Sequence, residues 1–228
     1  MDTNSNQARR VVIGITAHVD AGKTTLAEAM LYRTGQLRKL GRVDHGSAAM
    51  DSHLLERERG ITIFSSQAEL PIGNLEVTLL DTPGHVDFSA EMERTLSVLD
   101  YAILVISGAD GVQAHTRTLW RLLELYRIPT FLFVTKMDFG RCGRGQMMEH
   151  LRHELGEGCV DFTPADRERR MEQLATCRED ALEAYLDGGE VPDALVRQLV
   201  GRRLVFPCWF GSGLKLEGID EFLEGLAR

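Results

Sequence analysis

The stretch from Val11 to Thr25, VVIGITAHVDAGKTT, constrains the chain more than any other. Its apolar run shows little alternation, as expected of a strand buried on both faces, and it breaks into a glycine-lysine-threonine turn. Leu26, Ala27, Met30 and Leu31 then recur at helical spacing, and Gly35 supplies a stop. A strand that delivers a glycine turn to a helix start converges backbone N–H groups on an anion, and the helix terminus adds its own positive end. Asp20, Ala21, Gly22, Lys23, Thr24 and Thr25 are therefore the candidate phosphate cradle. Lys23 would act as a point charge on the terminal phosphates, and the Thr24 hydroxyl would ligate the accompanying Mg²⁺. Ala17 stands where the first glycine of G-x-x-x-x-G-K-S/T usually falls, so only the GKT core is strict and the reading needs support from the rest of the chain.

That support begins with the spacing of apolar runs. Strands are expected at Val11 to Thr16, Ile61 to Leu70, Leu75 to Asp81, Ala102 to Ser107, Thr130 to Thr135 and Leu204 to Phe210. Helical patterns over Phe88 to Val98, His115 to Tyr126 and Gly218 to Leu226 lie between or after them. Buried strands alternating with helices predict an α/β fold with a mainly parallel sheet, helices on both faces and ligands at the carboxyl ends of the strands. Two stretches break the alternation. Gln36 to Gly60 is polar and glycine-punctuated and reads as a long functional loop. Residues 140–203 read as a helical insertion before the last strand, with helices at Gln146 to Leu155, Asp166 to Leu186 and Asp193 to Gly201. Residues 1–10 read as a flexible tail and 11–228 as the domain itself.

Two further turns close apolar strands. Asp81, Thr82, Pro83, Gly84 and His85 follow Leu79 and Leu80, where an aspartate can hold Mg²⁺ through a water and a glycine brings its N–H to a γ-phosphate without a Cβ in the way. Thr135, Lys136, Met137 and Asp138 end the next but one. A carboxylate there can accept two hydrogen bonds from the N1 and N2 donors of guanine, which adenine does not offer, and the Lys136 stem would cover the base plane. A bidentate contact of this kind is worth roughly 1 to 3 kcal/mol of discrimination. After the last strand, Phe210, Gly211, Ser212 and Gly213 are small enough for a backbone N–H to reach guanine O6, which adds Ser212 and Gly213 to the candidate base site.

Composition excludes several alternatives. With 26 Lys and Arg against 34 Asp and Glu the net charge is −8, so there is no basic footprint for direct DNA binding. No apolar run approaches the roughly 18 residues of a membrane span, and MDTNSNQARR lacks the apolar centre of a secretory signal. The cysteines at 142, 159, 177 and 208 form no paired motif, which fits free thiols in the cytoplasm. A metal site from Cys142, Cys159, His150 and His153 competes with reading the two histidines as part of a solvated helix face.

The motifs AHVDAGKTT, ERERGITI, DTPGHVDF, ERTLSVLD and GADGVQAHT, with TKMD and GSG as looser matches, occur in one order along the chain. On these the chain resembles the GTP-binding domain of translational GTPases, the elongation factor G superfamily, from Val11 to Ala227. It is most similar to the tetracycline-resistance ribosomal protection proteins; an elongation-factor-G-like translocase and a nucleotide-gated ribosome-binding module with little turnover are the alternatives. The resemblance implies a P-loop NTPase fold, GTP and GDP as ligands, Mg²⁺-dependent hydrolysis and a ribosomal partner reached through a larger factor of which this would be a monomeric piece.

It further implies switch segments at Gln36 to Ile63 and Asp81 to Val98, Thr62 as a Mg²⁺ and γ-phosphate ligand, and His85 as the residue that orients the attacking water. Val19 and Ile61 would shield that histidine, and Asp20 would either bind a monovalent cation or simply cap the loop. Two departures from the family pattern carry expectations of their own. Thr135 replaces the asparagine of NKxD, which should shorten the tie between the base and phosphate loops. Gly213 replaces a small residue with a Cβ, which should leave its loop less rigid.

Overall fold

A computed structural model describes residues 9–38, 66–82, 89–139, 142–163 and 167–228. Seven strands form one sheet: β1 (Arg9–Ala17), β2 (Ser66–Ile72), β3 (Leu75–Asp81), β4 (Tyr101–Ser107), β5 (Thr130–Thr135), β6 (Cys159–Asp161) and β7 (Phe206–Phe210), in the order β2-β3-β1-β4-β5-β7-β6. All neighbours run parallel except β2 and β3, which form an antiparallel hairpin. The described helices are α1 (Lys23–Arg33), α2 (Ser89–Leu96), α3 (Ala114–Leu125), α4 (Arg144–Leu155), α5 (Arg167–Cys177), α6 (Glu179–Gly188), α7 (Asp193–Gly201) and α8 (Ile219–Ala227).

The two-residue period of the strands sorts the core. In β4, Ile103 and Val105 face a layer containing Leu26 and Met30 of α1 and Phe222 of α8. Ala102, Leu104 and Ile106 face the opposite layer, with Leu119 and Leu123 of α3 and Leu151 of α4. Every one of these β4 residues is at most 1% exposed, which is why the run carries no polar alternation. The sheet is thus covered on both faces, as the sequence predicts.

The expected strand positions hold for β1, β3, β4 and β5, while β7 begins two residues late, at Phe206. Arg9 and Arg10, assigned to the tail, belong to β1, where Arg9 and Arg10 pair with Leu75 and Glu76 of β3. The first part of the Ile61 to Leu70 strand lies outside the described residues, and β2 extends past it to Ile72.

The insertion differs more. The single helix expected at Asp166 to Leu186 is two helices, because Arg178 takes an extended conformation between α5 and α6 and lets them fold onto each other. Cys159–Asp161, not anticipated at all, adds a parallel strand to the edge of β7. Met171, Leu174, Ala181, Leu199 and Val205 build a third apolar cluster over it. At the exit, the half-buried Arg203 donates to the Ile128 carbonyl and to Thr130 Oγ1 (2.7 Å) and stacks over Trp120 and Phe206 at 4.9 and 5.1 Å. Burial pulls its pKa down, but a guanidinium remains charged, and here its hydrogen bonds and aromatic faces replace the lost water.

Candidate nucleotide-binding site

The loops at the carboxyl ends of β1, β3, β5 and β7 converge on the start of α1. Between β1 and α1 the chain turns through Asp20 (φ 61°) and Gly22 (φ 91°), both left-handed, with the Ala21 N–H donating to the His18 carbonyl at 3.1 Å. Left-handed turns of this kind aim successive N–H groups to one side. Gly22 tolerates its backbone because it has no Cβ, and the Leu26 N–H closes the first helical turn on the Gly22 carbonyl at 2.9 Å.

Lys23 Nζ lies 2.7 Å from Asp81 Oδ1 and also donates to the Thr82 carbonyl, both side chains of the ion pair being buried. Thr82 in turn fixes the end of β3 on β1, since its N–H and hydroxyl both donate to the Ile15 carbonyl, at 3.1 and 2.9 Å. Asp81 stands opposite Ile15 in the strand register, so two adjacent strands deliver the carboxylate and the cradle to one place. The Asp81 carboxylate at the end of β3 and the Thr24 hydroxyl in the first turn of α1 are hard oxygen donors and fit Mg²⁺ chemistry better than that of a softer metal.

Thr135 gives a result the sequence did not anticipate. Its hydroxyl donates to the Ala21 carbonyl at 2.6 Å, so the tie expected to be shortened by the missing asparagine is made by the shorter side chain itself. Gly22 lies beside it, where a Cβ would make only an ordinary contact 3.6 Å from Thr135 Oγ1, so glycine is called for there by its left-handed backbone and not by space. Lys136, left-handed at φ 55°, adds a second tie by donating from Nζ to the Asp20 carbonyl at 2.5 Å. The base loop is thus fastened to consecutive peptide carbonyls of the phosphate loop.

Asp138 Oδ2 accepts from Lys215 Nζ at 2.8 Å. That bond is the main reason its carboxyl titrates below the usual carboxylate range and the lysine above its own. Lys215 belongs to the turn after β7, which is pinned by reciprocal Ser212 and Glu217 hydrogen bonds of 2.9 and 3.0 Å. Gly213 in that turn is buried and wedged against α1, where a Cβ would meet the Thr25 carbonyl at 2.9 Å and the Leu26 nitrogen at 3.1 Å. Its missing side chain therefore locks the turn in place rather than loosening it.

The structure brings Asp20, Ala21, Gly22, Lys23, Thr24, Thr25, Asp81, Thr135, Lys136, Asp138, Ser212 and Gly213 to one end of the sheet. Thr62, Gly84, His85 and Ile61 lie outside the described residues. Thr82, which stands inside the DTPGH turn, and Lys215, just after the GSG turn, were given no role by the sequence. The alternative metal site does not assemble among the described residues: His150 Nε2 accepts from the Val112 N–H at 3.1 Å, Cys159 is buried, and no group of three or more His, Cys, Asp or Glu is placed to hold an ion. Nor is any described helix long and apolar enough to cross a membrane.

Comparison with known families decides the affiliation. The family model described as the elongation factor Tu GTP binding domain matches residues 8–228. The chain belongs to that family. As an elongation factor Tu-type GTP-binding domain, it places the shared architecture in a translation-factor lineage, and curated relatives narrow the branch. It is 41% identical over 240 residues to the oxytetracycline resistance protein of Streptomyces rimosus, covering 94% of this chain and 36% of that protein. To the tetracycline resistance protein TetM of Staphylococcus aureus it is 38% identical over 230 residues, covering 93% and 36%. To TetO of Campylobacter jejuni it is 35% identical over 230 residues, covering 94% and 36%. The chain thus spans about a third of the length of these relatives. A crystal structure of a protein from Thermus thermophilus superimposes with a TM-score of 0.84 at 28% identity, over 96% of this chain and 40% of that one.

Proposed function

We propose that this domain binds GTP with Mg²⁺ and hydrolyses it to GDP and phosphate, and that it is the nucleotide-driven part of a cytoplasmic factor that acts on the ribosome to relieve inhibition by tetracycline. The observation that carries the reading is the double fastening of the base loop to the phosphate loop through Thr135 and Lys136. It sets a guanine-reading carboxylate and a phosphate cradle at a defined separation, which a general anion site would not need. The tetracycline branch rests on the names of the relatives at 35 to 41% identity.

In this reading the loop amides and Lys23 hold the β- and γ-phosphates, and Asp138 accepts from guanine N1 and N2. Thr24 and Asp81 hold Mg²⁺, with Thr62 as a further ligand by its motif. The metal when bound neutralises charge that develops on the phosphate oxygens. Lys23 is positioned to leave Asp81 for a phosphate oxygen, because the end of β3 stays anchored through Thr82 when the lysine departs. His85 orients the attacking water, and the Gly84 N–H meets the γ-phosphate. Phosphoryl transfer asks for positioning more than proton abstraction, so a histidine that aligns water suffices. Asp20 completes the cradle, and whether it also attracts a monovalent cation is read from the potassium dependence of GTP binding.

The test is equilibrium titration of the 228-residue chain with fluorescent GDP and ADP, with and without Mg²⁺. Binding of GDP, little or no binding of ADP, and a shift of preference toward xanthosine diphosphate in Asp138→Asn are expected. Equal affinity for adenine and guanine nucleotides would overturn the reading. For turnover, phosphate release from GTP should rise on adding ribosomes to a chain that carries this domain, and His85→Ala should abolish the rise.

A further inference from the structure

The Asp138 carboxylate, on the reading above, has to receive guanine, yet it already has a charged partner. Lys215 Nζ donates to Oδ2 at 2.8 Å, and both side chains are partly exposed, at 50% for the lysine and 38% for the aspartate. This contact is not an accident of a wandering surface lysine. The Lys215 N–H donates to Ser212 Oγ at 3.3 Å, the turn is closed by the Ser212 and Glu217 bridge, and Gly213 wedges it against α1. Leu216 takes a left-handed conformation (φ 59°) that bends the chain just after the lysine. The backbone that carries Lys215 is therefore fixed with respect to the cradle, and its four-carbon stem reaches the carboxylate from a constant base.

A carboxylate offers about four lone-pair sites, and a base presenting N1–H and N2–H takes one on each oxygen. An ammonium on Oδ2 takes one of that oxygen's two sites and crowds the approach of the base to the other. It also draws charge from it, and charge is what makes the bond to a neutral donor strong. We propose that Lys215 competes with the base for Asp138: guanine enters by exchanging a lysine salt bridge for two hydrogen bonds from its neutral N1–H and N2–H donors to the carboxylate, so that this residue weakens nucleotide binding and speeds nucleotide release. The inference rests on Asp138 being the base-reading residue, and it adds a role for a side chain outside the motifs. A factor that must pass through many rounds of GTP binding and GDP release gains from such a partner, because the departing base is replaced at once on the carboxylate instead of leaving it to water alone.

The test compares the parent chain with Lys215→Met, which keeps the length of the stem and removes the charge. Because an exposed pair contributes little, GDP affinity should rise only about two- to fivefold. The gain should come from a slower release measured by displacement of fluorescent GDP. Added salt screens the competing pair, so the gap between the two proteins should narrow from low salt to about 0.5 M. In an Asp138→Asn background, where the salt bridge is gone, the same Lys215→Met change should leave affinity for xanthosine diphosphate unaltered. Unchanged or weaker GDP binding in Lys215→Met would overturn the proposal, since a positioning lysine would lower affinity when removed. If Asp138→Asn fails to move base preference, it is the assignment of Asp138 that falls; if it moves preference while Lys215→Met changes nothing, the competitor falls and the base site stands.

Discussion

Thr135 carries more structural consequence than its size suggests. Its hydroxyl is buried and holds the Ala21 carbonyl at 2.6 Å, directly behind the turn that forms the cradle. Thr135→Val keeps the shape and removes the donor, which leaves a buried carbonyl short of a partner at a cost of about 1 to 3 kcal/mol. Both thermal stability and GDP affinity are expected to fall in this variant, while Thr135→Ser retains both; scanning calorimetry and a fluorescent GDP titration read them separately. A Thr135→Val protein with unaltered GDP affinity would mean that the tie is structural only. The sequence identified the residue and its neighbourhood but misjudged the bond. An asparagine reaches farther than a threonine, and nothing in the one-dimensional pattern reports that the loops have closed in by the missing length. Lys215 was illegible for a related reason: its partner is 77 positions away, and a lysine in a polar turn looks like any solvated charge.

Among elements, the turn after β7 and the start of α1 are the pair that decides the geometry of the cradle. Gly213→Ala places a methyl 2.9 Å from the Thr25 carbonyl oxygen, a backbone atom that cannot rotate away, so either the turn or the helix start has to shift. Such overpacking typically costs about 1 to 3 kcal/mol. The melting temperature should drop, and nucleotide affinity should drop with it because Thr25 and Leu26, which the methyl would meet, directly follow Lys23 and Thr24 in the first turn of α1; a fully stable variant with normal binding would show that the turn adjusts independently. Legibility at this scale followed burial. The strands β4 and β5 could be read from the sequence because they are buried on both faces and almost uniformly apolar. The three residues of β6 could not, since they are too few to show a period and lie between Gly158 and a polar segment. The break at Arg178 was equally hidden, because neither glycine nor proline marks the extended residue that lets the two helices pack on each other.

For the whole molecule, the insertion is part of the sheet and not an appendage. Its strand β6 covers the edge of β7, and its third apolar cluster shares Val205 with the chain that leads into β7. Replacing residues 142–202 by a short glycine-rich linker would uncover a row of backbone N–H and C=O groups, the kind of edge on which chains pair with one another. Such a protein is expected to melt less cooperatively and to aggregate, as followed by light scattering during heating; a monomeric product with the parent's melting curve would show that the insertion is dispensable to the fold. The carboxyl ends of the strands gather the loops that carry the candidate site. There the fastening of Thr135 to Ala21 and of Lys136 to Asp20 has a geometric outcome. On the proposed reading, two carbonyls one residue apart set the interval between the base end and the phosphate end of the site, so the domain would work as a calliper that gauges how long a ligand is as well as what its two ends are made of.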